Sequence, residues 1–111
     1  MHLIGPQGYL DIIKLQENAR LALTDSAGIA EETTALQVPC LTLRENTERP
    51  VTIEQGSNQL VGYQPQRVIV AARAALVDQR TSYPVPPGWD GRSAERLINV
   101  LRKGIERRLR Y

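Results

Sequence analysis

Short apolar runs alternate along the chain with stretches whose apolar residues recur at helical spacing. After Pro6 and Gly8, residues 9–19 (YLDIIKLQENA) carry a broad apolar stripe and predict a first helix. The run LALT at 21–24 predicts a strand that ends in the turn sequence DSAG. The following IAEETTAL predicts a second helix, which stops around Gln37. The first third of the chain therefore predicts helix, strand, helix.

The alternation continues through the middle of the chain. A second strand is predicted from Val38 to Leu43, with Pro39 at its start, where a proline is tolerated. After the loop RENTERP, residues 51–56 predict one or two helical turns. Leu60 and Val61 then predict a short third strand, which Gly62 closes.

Two helices complete the predicted order. Apolar positions recur at helical spacing after Pro65, at Val68, Ala71, Ala72, Ala75 and Leu76. A proline-rich loop follows at 83–88. The last helix is predicted to start at the N-cap candidate Ser93. Its apolar face consists of Ala94, Leu97, Ile98, Leu101 and Ile105. Short apolar strands that alternate with helices indicate a parallel sheet with helices packed on it. We predict one α/β domain over residues 1–111, a Rossmann-like three-layer α/β/α fold with a short parallel sheet.

Composition limits the classes of protein that fit this pattern. The 111 residues suffice for one small domain, and the absence of Phe predicts an aliphatic core. The single cysteine, Cys40, excludes an intrachain disulfide, fits a reducing compartment and is expected to be a small buried hydrophobe. No apolar run approaches the roughly 20 residues of a membrane span, and no signal peptide is recognisable, so we expect a cytoplasmic protein without a membrane partner.

Charge is distributed unevenly along the chain. Residues 1–63 carry four basic and eight acidic side chains, whereas residues 64–111 carry ten basic and four acidic ones. The basic excess is concentrated in the last ten residues, RKGIERRLRY, which raises the possibility of nucleic-acid binding. A solvated basic helix end explains the same charges, and no aromatic stacking platform accompanies them. We therefore predict no nucleic-acid partner.

The sequence TDSAG at 24–28 is the first candidate site. It follows a predicted strand and opens a helix, and ligands of parallel sheets collect at this edge, where helix N-termini offer free N–H groups to a phosphate. Ser26 adds a hydroxyl, and Gly28 is expected to permit a backbone conformation that other residues resist. The spacing alone is also compatible with an ordinary helix cap at Asp25 or Ser26.

Two further features strengthen the phosphate hypothesis. Glu31 and Glu32 lie in the first turns of the same helix, where one of them could accept hydrogen bonds from sugar hydroxyls. The loop RENTERP follows the next strand and should reach the same edge of the sheet, so that Arg44 or Arg49 could bind the phosphate. Helix-terminal acidic residues and surface ion pairs are the competing explanations.

With these loops placed, the chain resembles the non-hydrolysing UDP-N-acetylglucosamine 2-epimerases. The similarity runs from about Leu3 to Leu101 but covers only the last third of a typical member. It rests on PQGYL at 6–10, LTDSAGIAEE at 23–32, VPCLTLRENTERP at 38–50, EQGSNQLVG at 54–62 and WDGRSAERL at 89–97. The resemblance implies the C-terminal half of a two-domain GT-B-type isomerase of cell-envelope polysaccharide biosynthesis, which works without a metal or other cofactor.

The resemblance also implies roles for individual residues. Family members hold the UDP phosphates with a serine and two glycines, which correspond to Ser26, Ala27 and Gly28. By the same matching, Glu32 would contact the uridine ribose and Arg49 the diphosphate. In the family, a glutamine lies near the uracil, and the residue five positions later lines the uracil pocket. These two residues correspond to Gln7 and Ile12. Ala27 departs from the family glycine, and its methyl group is costly where the backbone must be left-handed or a phosphate must touch the α-carbon.

The resemblance implies that the family reaction needs groups from outside this region. In the family, UDP-N-acetylglucosamine loses UDP and the proton at carbon 2 to give a glycal. Re-addition of UDP, with return of the proton on the opposite face, yields UDP-N-acetylmannosamine. The acid–base carboxylates and a histidine that serve this reaction precede the present segment in the family. We therefore expect the isolated chain to bind UDP weakly, not to epimerise UDP-N-acetylglucosamine, and to self-associate or pair with an N-terminal half. A glycosyltransferase C-terminal domain and a non-catalytic interaction module remain alternatives.

Overall fold

The computed structural model describes residues 1–80 and 82–109. Within them it contains five helices and three strands, which are α1 (Tyr9–Glu17), β1 (Ala22–Thr24), α2 (Ala27–Leu36), β2 (Cys40–Thr42), α3 (Val51–Glu54), β3 (Asn58–Leu60), α4 (Pro65–Val77) and α5 (Ser93–Leu109). In these described ranges, no helix combines the length and the apolar character that crossing a bilayer requires.

The three strands form one parallel sheet in the order β1-β2-β3. In register, Leu23 lies beside Leu41, and Leu41 lies beside Gln59. Each pair of neighbouring strands is joined through a helix, as parallel pairing requires. The predicted α/β class and the short parallel sheet are confirmed.

The strands differ from their predicted bounds for two local reasons. The N–H of Val38 donates to the carbonyl of Thr33 (2.9 Å) in the cap that follows α2, where Gln37 takes a left-handed φ of 63°, so Val38 does not begin the strand. The third strand begins earlier than predicted because pairing starts at the Ser57 carbonyl, which accepts from Cys40 N–H (3.0 Å). Polar Asn58 therefore lies within a strand that hydrophobicity alone placed at Leu60 and Val61.

The helices also differ slightly from their predicted bounds. The first helix ends at Glu17 rather than at residue 19. The last helix begins with Ser93 itself, and the carbonyl of the preceding Arg92 accepts from the N–H of Arg96 (3.3 Å), so Arg92 rather than Ser93 occupies the cap position. Differences of one or two residues are typical of helix ends.

The core is small and aliphatic, as the composition predicted. Its most buried apolar residues are Ala30, Val38, Cys40, Leu41 and Val61. Burial raises the pKa of the Cys40 thiol, which keeps it protonated and unreactive. This agrees with the prediction of a buried hydrophobe.

Helices α4 and α5 lie at the periphery of this core. Neither contains a buried residue. The apolar face of α5 is open to solvent over its whole length, with exposed fractions between 56% and 81% at Leu97, Ile98, Val100, Leu101, Ile105 and Leu109. An apolar stripe of this length is normally covered by other protein.

Candidate functional site

The carboxyl ends of β1 and β2 bring two loops to one edge of the sheet. Thr24 and Thr42 pair in register, so the segment that leads into α2 and the loop after β2 begin side by side. The two segments are joined directly, because Arg49 Nε donates to Glu31 Oε1 in α2. The predicted meeting of the DSAG and RENTERP segments is therefore present in the fold.

Ser26 is the N-cap of α2. Its φ and ψ are −90° and 125°, its Oγ accepts from Ile29 N–H (3.4 Å), and its own N–H donates to Thr24 Oγ1 (3.0 Å). The first intrahelical bond is made by Ala30 to the Ser26 carbonyl (3.2 Å). The amides of Ala27 and Gly28 precede that bond and have no partner within the helix. The helix therefore presents its positive end and two amide donors at the edge of the sheet.

The expected backbone role of Gly28 is wrong. Gly28 lies in the first turn of α2, and the glycines with positive φ among the described residues are Gly62, Gly88 and Gly91. A Cβ added at Gly28 would lie 3.6 Å from Ser26 Oγ, an ordinary van der Waals contact. Ala27 is the first helical residue and likewise has no positive φ, so its methyl group causes no backbone strain. Only a close approach by a ligand would require glycine at these positions.

The two adjacent glutamates of α2 have different partners. Glu31 pairs with Arg49, whereas Glu32 Oε2 accepts from Gln16 Nε2 of α1 (2.7 Å). Sequence reasoning missed Gln16, although a polar residue within the apolar stripe of the first helix was a signal that could have been used. Gln16 is the buried residue of α1.

The two candidate arginines of the loop after β2 also have different partners. Arg44 makes local contacts, donating from Nη2 to Asn46 Oδ1 (3.3 Å). Arg49 instead reaches α2, and its Nη1 donates to the carbonyl of Glu48 (3.2 Å). Its side chain is 51% exposed, so the remaining donors face accessible space. The geometry favours Arg49 as the arginine of this site.

A buried polar chain anchors the loop that carries Arg49. Thr42 Oγ1 donates to Asn58 Oδ1 (2.6 Å), Asn58 Nδ2 donates to Thr52 Oγ1 (3.1 Å), and Thr52 Oγ1 donates to the Arg49 carbonyl (2.8 Å). Thr42, Thr52 and Asn58 are each at most 5% exposed. Since the two bonds of Asn58 are buried and the bond to the Arg49 carbonyl is partly buried, the chain fixes the loop against the sheet.

Gln7 and Ile12 make no direct hydrogen bond, among the described residues, to the loops at the carboxyl ends of β1 and β2. Gln7 is exposed, and its Nε2 donates to the Gly5 carbonyl (3.0 Å) within its own segment. Ile12 is half-buried on α1. The hydrogen bond from Gln16 to Glu32 connects that helix to α2.

Two hollows formed by the described residues can be compared with the candidate site. One of about 370 Å³ lies beside the site and is lined by Glu31, Glu32, Ala35, Gly88, Trp89, Gly91 and Ser93. This lining shows that the WDG segment at 89–91 lies next to α2, which the sequence did not predict. A larger groove of about 870 Å³ runs between the sheet and α4, where its lining includes Leu41, Asn58 and Val70. Of these two hollows, the smaller is lined by a predicted ligand residue, Glu32.

The loop beside the smaller hollow is tied to α5. Arg96 donates to the Gly88 carbonyl (3.2 Å) and pairs with the Asp90 carboxylate. The hydrogen bond from Arg96, with that from the Arg92 N–H, holds the pKa of Asp90 below its usual range. The WDG segment is thus held by charged contacts at its own helix.

Comparisons with known proteins give a consistent result. The family model described as UDP-N-acetylglucosamine 2-epimerase matches residues 1–102. The UDP-N-acetylglucosamine 2-epimerase of Methanocaldococcus jannaschii is 45% identical over 102 residues, which are 92% of this chain and 27% of the relative. That of Methanococcus maripaludis is 41% identical over 99 residues, covering 89% of this chain and 26% of the relative.

Solved structures agree with the sequence comparison. The M. jannaschii UDP-GlcNAc 2-epimerase in complex with UDP-GlcNAc and UDP superimposes with a TM-score of 0.79 at 45% identity, over 90% of this chain and 27% of that chain. The chain thus spans about a quarter of the length of the relatives it matches, and its fold is that of the corresponding part of a GT-B-type epimerase. It belongs to the UDP-N-acetylglucosamine 2-epimerase family and corresponds to the C-terminal part of such an enzyme.

Proposed function

We propose that residues 1–111 form the nucleotide-binding C-terminal domain of an enzyme that interconverts UDP-GlcNAc and UDP-ManNAc, and that this domain binds the UDP part. The observation that carries the proposal is the junction of the α2 N-terminus with Arg49 through Glu31. A solved relative in complex with UDP-GlcNAc and UDP supports it.

The diphosphate would meet donors of two kinds. The amides of Ala27 and Gly28 and the positive end of α2 suit an anion. The Ser26 oxygen accepts from Ile29 N–H (3.4 Å), and its hydroxyl hydrogen can be donated to a phosphate oxygen. Arg49 uses one N–H on Glu31 and one on the Glu48 carbonyl. Three of its five N–H donors remain, so a phosphate can bind without breaking the Glu31 pair.

These donors act on the leaving group of the reaction. When UDP departs from carbon 1, negative charge develops on the diphosphate, and fixed N–H donors stabilise that charge in the transition state. The reaction also needs a base and an acid on opposite faces of the sugar. Glu31 pairs with Arg49 and one oxygen of Glu32 accepts from Gln16, and the resemblance places the acid–base carboxylates of the family in segments that precede this region. We expect the isolated chain to bind UDP weakly and not to epimerise UDP-GlcNAc.

A second proposal concerns association. The apolar face of α5 favours an interaction role in addition to nucleotide binding, because six large apolar side chains are more than half exposed along one helix. We propose that the isolated chain self-associates through this face. We place the protein in the cytoplasm because its single buried cysteine suits a reducing compartment.

Calorimetric titration of the purified chain with UDP and UDP-GlcNAc tests the nucleotide site. We expect millimolar or tighter binding that Arg49→Ala abolishes or weakens at least tenfold, since a hydrogen bond to a charged group contributes about 1.5–3 kcal/mol. Arg44→Ala is the matched control, because Arg44 lies in the same loop but makes local contacts. Equal loss in both variants, or oligonucleotide binding without UDP binding, would contradict the proposal.

A further inference from the structure

The backbone of Arg49 is fixed on both sides of its α-carbon. Its N–H donates to Thr47 Oγ1 (3.0 Å), and its carbonyl accepts from Thr52 Oγ1 (2.8 Å). These bonds determine where the side chain begins, but several rotatable bonds separate that point from the guanidinium. The position of the charged group therefore depends on the contacts that the guanidinium makes itself.

Glu31 is the contact that joins this guanidinium to α2. Arg49 Nη1 donates to the carbonyl of the neighbouring Glu48 (3.2 Å), which belongs to the same loop, whereas Nε donates to Glu31 Oε1 across the site. Glu31 lies four residues after Ala27, the first residue of α2, and residues at this spacing share one face of a helix. Helical side chains lean toward the N-terminus, so Glu31 holds the cation toward the turn that contains Ala27.

A cation is not attracted to this end of a helix. The first turns carry the positive end of the helix dipole, which disfavours a guanidinium and favours an anion. The carboxylate of Glu31 offsets that repulsion and keeps Arg49 beside α2. The two side chains are 51% and 38% exposed, and ion pairs of this kind contribute little to the stability of a fold. The placement of the pair at the candidate phosphate site therefore points to a role in binding rather than in folding.

We propose that Glu31 is a positioning residue for the diphosphate of UDP. It holds the Arg49 guanidinium on the Ala27 face of α2 before the ligand arrives, so binding does not have to order a long, flexible side chain. The pair carries no net charge, so the Glu31 carboxylate repels a phosphate little while Arg49 stays in place. This inference rests on the proposed binding of UDP and gives Glu31 a role that needs no contact with the ligand.

Calorimetric titration with UDP tests this role in the wild type, Glu31→Ala and Glu31→Gln. Alanine is a strong helix former, so Glu31→Ala keeps α2 while it releases Arg49. We expect its UDP affinity to fall by about threefold to tenfold, in the range of coupling between contacting residues. Glutamine keeps an oxygen that accepts from Arg49 Nε, so Glu31→Gln should recover most of the affinity. Removal of a carboxylate that merely repels the ligand would raise the affinity instead.

Glu45→Ala is the matched control for the loss of one negative charge. Glu45 lies in the same loop as Arg49, but its carboxylate pairs with Arg67 (3.9 Å). This variant should change UDP affinity by less than about twofold, because an exposed pair contributes little. Equal losses of affinity in Glu31→Ala and Glu45→Ala would overturn the inference, since they would show a general effect of charge or of loop stability.

A measurement on the wild type alone tests whether the pair persists in the complex. The Arg49 Nε–H signal in a proton–nitrogen NMR spectrum should stay close to its position when UDP is added, because Nε keeps Glu31 as its partner. A large shift would show that the ligand takes over this donor, which would overturn the positioning role. Unchanged or higher UDP affinity in Glu31→Ala overturns the role of Glu31 while leaving the nucleotide site intact, whereas absence of UDP binding to the wild type overturns both.

Discussion

Thr52→Val tests whether the buried polar chain holds the Arg49 loop. Thr52 is 0% exposed, and valine has nearly the same shape, so the change removes one hydroxyl without opening a cavity. That hydroxyl donates to the Arg49 carbonyl and accepts from Asn58 Nδ2. The substitution therefore cuts the link between the sheet and the loop.

The size of the effect follows from which groups lose a partner. The Arg49 carbonyl keeps a second donor, the N–H of Thr52 (3.1 Å), so it is not left unpaired. Asn58 Nδ2 loses its acceptor inside the protein, where an unsatisfied donor costs about 1–3 kcal/mol. We expect the free energy of unfolding to fall by about 2 kcal/mol and UDP affinity to fall with it.

Urea unfolding of the wild type and two variants measures this effect. Thr33→Val is the matched control, because Thr33 is also 0% exposed but its hydroxyl donates to helix carbonyls of Ile29 and Ala30, which have backbone partners of their own. Thr33→Val should lower the free energy of unfolding by less than about 1 kcal/mol, the usual range for one neutral hydrogen bond. Equal costs for the two variants, or a Thr52→Val cost below about 0.5 kcal/mol, would refute the anchoring role.

Three further predictions concern separate parts of the chain. Gly28→Ala should leave the free energy of unfolding unchanged or raise it by up to about 1 kcal/mol, since alanine is the better helix former. Its UDP affinity should fall, because the added methyl group meets the phosphate. Unchanged affinity in calorimetry would show that no ligand approaches Gly28. In a carbon-detected NMR titration, the pKa of the Asp90 carboxyl should lie below the ordinary value of about 3.9, so its ion pair with Arg96 is lost only as the pH falls through that lowered pKa. In Arg96→Ala the Asp90 pKa should return toward the ordinary value. A low pKa that persists in this variant would contradict Arg96 as its main cause. Leu101→Lys should reduce self-association in analytical ultracentrifugation, because it places a charge in the apolar face of α5, and an unaltered sedimentation profile would argue against that face.

The fold was largely predictable because its signals are local and repetitive. Apolar runs bounded by glycine and proline gave the order of the elements and the parallel sheet. The bounds were less predictable where hydrogen bonds rather than hydrophobicity decide them. Val38 belongs to the cap after α2, and Asn58 lies in a strand because backbone pairing with β2 starts at the Ser57 carbonyl.

The candidate site was predictable in outline only. Position in the chain placed the α2 N-terminus and the RENTERP loop at one edge, but it could not choose between Arg44 and Arg49, since that depends on which side chain reaches Glu31. The backbone role given to Gly28 was wrong because a small residue after a strand also fits an ordinary first helical turn. The hydrogen bond from Gln16 to Glu32 depends on the packing of α1 on α2, which no spacing along the chain reveals.

The claim on which the account depends is that the first amides of α2 bind a phosphate. Backbone amide NMR during addition of UDP tests this most directly, with uridine as the ligand that lacks phosphate. We predict that the signals of Ala27 and Gly28 move progressively with UDP and stay in place with uridine. Signals that remain fixed while UDP binds, or that move equally with uridine, would contradict the account.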